Sequence, residues 1–91
     1  DWLVDGHGRL VSPLSFQFER FEGLTAWRLH QASDGRLTLY FDASRPAVTG
    51  PVLAQALRRL VPDREVRLAE GVWQLKRGGK FKRIISDFRQ A

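Results

Sequence analysis

The strongest constraint on the fold is a pair of apolar segments joined by a tight turn. Residues 24–31 and 36–42 flank Ser33-Asp34-Gly35, a triplet typical of a β-hairpin turn. The regularly spaced apolar positions of the second segment are Leu37, Leu39 and Phe41. A period of two places them on one face of a strand, so the pair predicts an antiparallel hairpin with one packed face.

Two further segments have the spacing of amphipathic helices. Ser12 is placed to cap the first helix, Pro13 to occupy its first position and Gly23 to end it. Thr49 is the expected N-cap of the second helix, which stops before Pro62. The apolar stripes are Leu14, Phe18 and Phe21 in the first helix, and Leu53, Ala56, Leu57 and Leu60 in the second. Each stripe predicts a helix that buries one face against a sheet.

Shorter segments complete the predicted sheet. Residues 2–4 and 9–11 flank a glycine-rich stretch and predict a second hairpin. Residues 65–69 predict a strand, and residues 83–88 predict a final helical turn. The sequence therefore predicts an α+β fold, a small, mostly antiparallel sheet with two helices packed on one face, in which residues 1–91 form a single domain.

Composition excludes several classes of protein. The chain has no cysteine, so disulfides, iron–sulfur clusters and cysteine-based zinc sites are excluded. No apolar run approaches the roughly 20 residues of a membrane-spanning helix. We therefore expect a soluble, cytoplasmic protein without a membrane partner. Because the first residue is Asp1 rather than methionine, we also expect the chain to be part of a longer protein.

The net charge of +5 is carried by the end of the chain. Residues 1–70 contain nine arginines and nine carboxylates, whereas residues 71–91 contain six basic residues and one acid. Gly78-Gly79-Lys80 lies in the middle of this excess. Two glycines let the backbone bend and bring its N–H groups close to an oxyanion, and the lysine adds a mobile positive charge. The plainer interpretation is a turn with solvated charges.

Other chemistries find little support in the sequence. His7 and His30 are isolated from other ligands, so we expect no metal site. The serines lack a paired base, which argues against a nucleophilic enzyme. The sequence does not match the P-loop motif, because Phe81 follows Gly79-Lys80 at the position where that motif requires serine or threonine. Nucleic-acid binding stays open because the chain is basic, but Tyr40 is the only aromatic residue expected on the open face of its strand, so we expect this partner to be unlikely.

Several motifs occur in an order that covers the whole chain. They are Asp1-Trp2-Leu3-Val4, Gly8-Arg9-Leu10-Val11-Ser12-Pro13, Gly23-Leu24, Asp34-Gly35-Arg36-Leu37-Thr38-Leu39 and Gly78-Gly79-Lys80-Phe81-Lys82-Arg83-Ile84-Ile85. The set resembles the small C-terminal domain of adenylate-forming enzymes of the acyl-CoA synthetase superfamily. Within that superfamily it is most similar to the phenylacetate–CoA ligase and capsule-biosynthesis branch, which also includes coenzyme F390 synthetase-like proteins.

The resemblance implies a mobile C-terminal domain of an ATP-dependent carboxylate-activating ligase. In this family a large N-terminal adenylation domain binds ATP with Mg and a carboxylic acid. The small domain alternates between a pose for making the acyl-adenylate and a pose for transfer to a thiol such as CoA. The chain is then expected to be inactive alone, with its own adenylation domain as its partner.

The resemblance also assigns roles to residues at the start of the chain. Asp1 matches the acidic residue of the hinge, and Gly8 and Arg9 belong to the loop that faces the active site in the thiol-transfer pose.

A second set of roles falls on the basic segment. Lys80 matches the catalytic lysine that reaches the carboxylate and the α-phosphate in the adenylation pose. Gly78 and Gly79 form the loop that presents it, and Arg83 matches a basic position further along. Leu75-Lys76-Arg77 departs from the Pro and Thr that often precede the family's Gly-Lys.

The resemblance leaves the acid undetermined, and the acceptor can be CoA, a carrier protein or another nucleophile. Two rival functions stay open, a basic nucleic-acid-binding module and a non-catalytic protein-interaction domain.

Overall fold

The computed structural model describes residues 2–75 and 83–88, which form six strands, one α-helix and three 3₁₀ helices. The strands are β1 (Leu3–Val4), β2 (Leu10–Val11), β3 (Leu24–Gln31), β4 (Leu37–Ala43), β5 (Val66–Glu70) and β6 (Ile84–Ser86). Helix α1 spans Pro46–Leu60, and the 3₁₀ helices span Pro13–Ser15, Phe18–Arg20 and Val72–Gln74. The predicted α+β class is confirmed.

The predicted central hairpin is formed by β3 and β4. The two strands are antiparallel, with Trp27 opposite Phe41 and Leu29 opposite Leu39. These four side chains are buried, whereas the residues between them are only partly buried. Gly35 closes the turn with a φ of 96°, a left-handed conformation that glycine adopts without a steric penalty. Alternation in the sequence therefore fixed the buried face correctly.

The larger sheet is mixed rather than mostly antiparallel. Its strand order is β5-β4-β3-β6, and β5 is parallel to β4 while β6 is parallel to β3. The first parallel pair results from connectivity, because α1 lies between β4 and β5 and a helical crossover returns the chain in the same direction. A separate two-stranded antiparallel sheet, β1-β2, confirms the predicted N-terminal hairpin.

Helix α1 begins earlier than its predicted cap. Arg45 precedes the first residue, Pro46, and makes no side-chain capping bond, while Thr49 lies inside the helix and is buried. Proline is tolerated at the first helical position because the N–H group there has no partner within the helix. The predicted stripe is correct, since Leu53 and Leu57 are fully buried against the sheet.

Helical structure is present at both predicted places, but only the second is an α-helix. Residues 13–20 form two 3₁₀ helices, separated by Phe16 and Gln17. Ser12 caps the first, because its hydroxyl accepts a hydrogen bond from the Leu14 N–H, 3.2 Å away. The Leu14 side chain is 85% exposed, so its predicted burial was wrong.

Aromatic packing explains the break at Phe16. Phe16 and Phe18 are both buried, and their rings contact edge to face at 5.8 Å. Phe18 also contacts Trp27 with ring centroids 5.0 Å apart. An extended backbone at Phe16 brings both rings into the core, and a continuous helix would place residues two apart on different faces.

The last described segment is a strand, not the predicted helical turn. Ile84 and Ile85 lie opposite Leu29 and His30 of β3, and the Asp87 N–H donates to the Gln31 carbonyl at 2.8 Å. Two adjacent β-branched residues favour this extended pairing over a helix.

Candidate functional site

The residues to which the sequence assigned roles divide between described and undescribed parts of the chain. Gly8, Arg9 and Arg83 are described. Asp1 and the Gly78-Gly79-Lys80 loop lie outside the described residues. The site is therefore built from the N-terminal hairpin and from the residues on either side of the basic segment.

A buried glutamine fixes the N-terminal hairpin to the large sheet. Gln31 is the last residue of β3 and is fully buried. Its Oε1 accepts from the Val4 N–H at 2.9 Å, and its Nε2 donates to the Val4 carbonyl at 2.8 Å and to the Gly35 carbonyl at 3.1 Å. The side-chain amide thus pairs with both backbone groups of Val4, as a neighbouring strand would. Arg64 adds a hydrogen bond from its Nε to the Val4 carbonyl at 3.1 Å.

The turn that carries Gly8 and Arg9 is organised by Asp5, which is only 3% exposed. Its Oδ1 accepts hydrogen bonds from the His7 N–H at 2.8 Å and the Arg9 N–H at 2.9 Å. The Arg9 N–H is the main cause that lowers the pKa of the Asp5 carboxyl below its usual value of 3.8. Gly8 has a φ of 81°, a conformation that favours glycine. Gly8 and Arg9 are therefore exposed on a turn of defined geometry.

The same turn contacts the chain just after α1. The Gly6 N–H donates to the Pro62 carbonyl at 2.8 Å, and the exposed His7 imidazole contacts the Asp63 carboxylate. A Cβ atom on Gly6 would lie 2.2 Å from the Asp63 carbonyl oxygen, so only glycine allows this approach. The turn is therefore held from two sides, by β3 through Val4 and by the end of α1.

The basic segment has both of its flanking residues fixed to β3. Leu75, the residue before it, accepts a hydrogen bond from the Arg28 guanidinium through its backbone carbonyl. The backbone carbonyl of Arg83, the residue after the segment, accepts a hydrogen bond from the Leu29 N–H at 2.7 Å. Arg28 and Leu29 are neighbours on β3, so one strand holds both flanks of residues 76–82. No local sequence pattern predicts this arrangement, because it depends on contacts between residues about 50 positions apart.

Arg83 has a structural environment that limits its freedom. Its guanidinium contacts the Glu19 carboxylate and lies 5.7 Å from the centre of the Trp27 ring. Glu19 also accepts a hydrogen bond from the Trp27 indole N–H at 3.4 Å. Arg83 therefore acts as an anchor for the chain, in addition to any charge it offers to a ligand.

The face of the sheet opposite α1 carries Arg28, His30, Tyr40 and Arg67. The His30 Nε2 lies 2.6 Å from the Asp87 Oδ2, and the Arg28 guanidinium contacts the Leu75 carbonyl. Two of the polar groups on this face are thus engaged with the protein, which reduces what the face offers to a phosphate backbone.

Sequence reasoning missed the residues that hold the site together. The strand pattern places Gln31 only at the end of the predicted strand, although a glutamine at a buried position of an alternating strand indicates a polar partner across the core. Arg28 and Arg64 carried no comparable signal.

Within the described parts of the chain, no helix is both long and apolar enough to cross a membrane. The same residues contain no group of three or more His, Cys, Asp or Glu side chains that could hold a metal ion. The chain matches none of the family models with which it was compared, and no curated protein matches it significantly.

Proposed function

We propose that this chain is the mobile C-terminal domain of an ATP-dependent carboxylate-activating ligase, with Lys80 as its catalytic residue. The observation that carries the proposal is the fixed base of the basic segment, with Leu75 bound at Arg28 and Arg83 at Leu29. A catalytic group acts with precision only when the elements that present it are rigid. The order of motifs that resembles adenylate-forming enzymes supports the same function.

The chemistry that Lys80 would serve has a clear electrostatic requirement. A carboxylate oxygen attacks the α-phosphorus of ATP, and pyrophosphate leaves with the electron pair of the broken P–O bond. Two anions must approach, and negative charge builds on the phosphoryl oxygens. A lysine ammonium at that point offsets the charge, and loss of such a group typically lowers the rate about 10²–10³-fold. ATP with its Mg would be held mainly by the large domain.

The second half of the reaction requires the lysine to leave. A thiol, such as that of CoA, attacks the acyl carbon, and AMP departs with the electron pair of the acyl–oxygen bond. In this pose the turn with Gly8 and Arg9 would face the acyl-adenylate. Because Asp5 and Gln31 fix that turn, the domain would present it as a preformed surface. Domain alternation of this kind lets one site serve two steps.

The first test is ATP–pyrophosphate exchange by the full-length enzyme that carries this chain, across a panel of aryl and alkyl acids. We expect Lys80→Ala to lower the acid-dependent exchange about 10²–10³-fold. Transfer of the acyl group from preformed acyl-adenylate to a thiol should be nearly unchanged. Lys76→Ala removes the same charge from the same segment and serves as the control, with a much smaller loss expected.

A reciprocal variant sharpens the test. Arg9→Ala should lower thiol transfer and leave exchange largely intact, because the turn is held by the Arg9 backbone rather than its side chain. Equal loss of both half-reactions in Lys80→Ala, or full exchange activity in that variant, would refute the proposed two-pose role.

A further inference from the structure

A cavity of about 310 Å³ lies between α1 and the first two 3₁₀ helices. Its size is at the lower end of the range for small-molecule sites, which is roughly 300–1,000 Å³. It shares no residue with the N-terminal turn or with the flanks of the basic segment. Ligand binding in this cavity would therefore be independent of the proposed function.

The cavity is positively charged. Arg20 and Arg59 line it, together with Ser15 and Gln17, and no acidic residue is among those that line it. Among the residues that the structure describes, neither guanidinium group has a hydrogen-bond or ion-pair partner. The adjacent Glu19 does not neutralise them, because it is engaged with Arg83 and Trp27. Two unpaired cations at one cavity favour an anion with more than one charge.

The floor of the cavity is apolar and fixed. Phe18 and Phe21 line it, with ring centroids 6.0 Å apart. Phe18 is 1% exposed and contacts Trp27 edge to face, so the floor belongs to the core. An apolar floor beside two guanidinium groups fits a ligand with an anionic end and an apolar body.

A second cavity differs from this one in the charges of its lining residues. It lies at the start of α1, has a volume of about 280 Å³, and is lined by both Glu22 and Arg45. Opposite charges in one cavity cancel, so that cavity has no comparable preference for an anion.

We propose that the cavity between α1 and the first two 3₁₀ helices binds a small organic phosphate monoester. The phosphate lies between the guanidinium groups of Arg20 and Arg59, and the apolar body lies on Phe21, Ala56 and Leu60, above the buried Phe18. A phosphate monoester carries about −1.5 to −2 charges at pH 7, which matches two guanidinium groups.

The test is an NMR titration of the chain with phenyl phosphate, followed through backbone amide shifts. We expect saturable shifts concentrated on the residues that line the cavity, and weaker binding of inorganic phosphate, which lacks the apolar body. Arg20→Gln and Arg59→Gln should each weaken phenyl phosphate binding about tenfold, the usual effect of losing a hydrogen bond to a charged group. Arg58→Gln is the matched control, because it removes the same charge from the neighbouring position outside the cavity, and we expect less than about a twofold change there.

Ala56→Leu fills the cavity without changing the charge and should also weaken binding. If that variant fails to fold, the exposed arginine variants still decide the question. Equal weakening by Arg58→Gln and Arg59→Gln would show a general charge effect and overturn the proposal. So would the absence of saturable binding at millimolar phenyl phosphate, or equal affinity for phenyl phosphate and inorganic phosphate.

Discussion

Replacing Gln31 by leucine should detach the N-terminal hairpin from the sheet. The variant loses three hydrogen bonds and leaves the buried Val4 N–H and the Gly35 carbonyl without these partners. The Val4 carbonyl keeps its bond from Arg64. A buried donor left unpaired costs about 1–3 kcal/mol, and a lost hydrogen bond about 0.5–1.5 kcal/mol. We therefore expect the free energy of unfolding to fall by about 3 kcal/mol, a large share of the roughly 5–15 kcal/mol typical of a domain.

Urea denaturation measures this loss, and amide hydrogen exchange locates it. In Gln31→Leu the Val4 amide should exchange much faster than the amides of β4, because the hairpin is released before the sheet unfolds. Gln55→Leu is the matched control, since Gln55 is exposed on α1 and the same substitution there should change the stability by less than about 0.5 kcal/mol.

Gln31→Glu separates the loss of hydrogen bonds from a change of shape. A carboxylate there can accept from the Val4 N–H but faces the carbonyls of Val4 and Gly35, so its folded-state pKa should rise above its unfolded value of about 4.3. A raised pKa destabilises the fold above the folded-state pKa, and the loss should shrink as the pH falls through that pKa. A fall of less than about 1 kcal/mol in the unfolding free energy of Gln31→Leu would refute the role of Gln31 in holding the hairpin to the sheet, given the values expected for an unpaired buried donor. A pH-independent loss in Gln31→Glu would also count against it.

Two further predictions concern the N-terminal turn. Gly6→Ala should destabilise the fold by about 1–3 kcal/mol, because the new Cβ would overlap the Asp63 carbonyl. His7→Ala should cost less than about 1 kcal/mol, because the contact between its side chain and Asp63 is exposed to solvent, and thermal unfolding of both variants checks the order. Asp5 has a folded-state pKa below its usual 3.8, so its contribution is complete above that pH and is lost as the pH falls through the lower folded value. Asp5→Asn should therefore flatten the fall in urea midpoint below pH 3.8, and an unchanged acid slope would contradict the role given to the Arg9 N–H.

The sequence predicted what depends on local pattern. The buried face of the central hairpin followed from a period of two, and the buried stripe of α1 followed from helical spacing. The sequence did not predict that β5 is parallel to β4 or that β6 is parallel to β3, since the three-dimensional path of the chain determines which strands are neighbours. The first predicted helix failed because burial of Phe16 and Phe18 outweighed a helical stripe that included Leu14.

The candidate site shows the same division. The exposed turn with Gly8 and Arg9 lies where the glycine pattern predicted it. The groups that make it rigid do not follow from that pattern, because the Asp5 carboxylate acts within the turn and Gln31 acts across 27 positions of sequence. A long-range hydrogen bond such as that of Gln31 is only weakly indicated by a single sequence, through a polar residue at a position where an apolar one is expected.

Strand β3 connects the two described parts of the candidate site. Gln31 holds the hairpin, while Arg28 and Leu29 hold the flanks of the basic segment only a few residues away on the same strand. Three residues along a strand correspond to about 10 Å, so the two anchor points are close and share one backbone. The proposed mechanism therefore requires that the turn and the two flanks of the basic segment reorient together. A two-pose enzyme built on this domain would exchange one surface for the other by moving the domain as a whole, not by moving either anchor on the sheet.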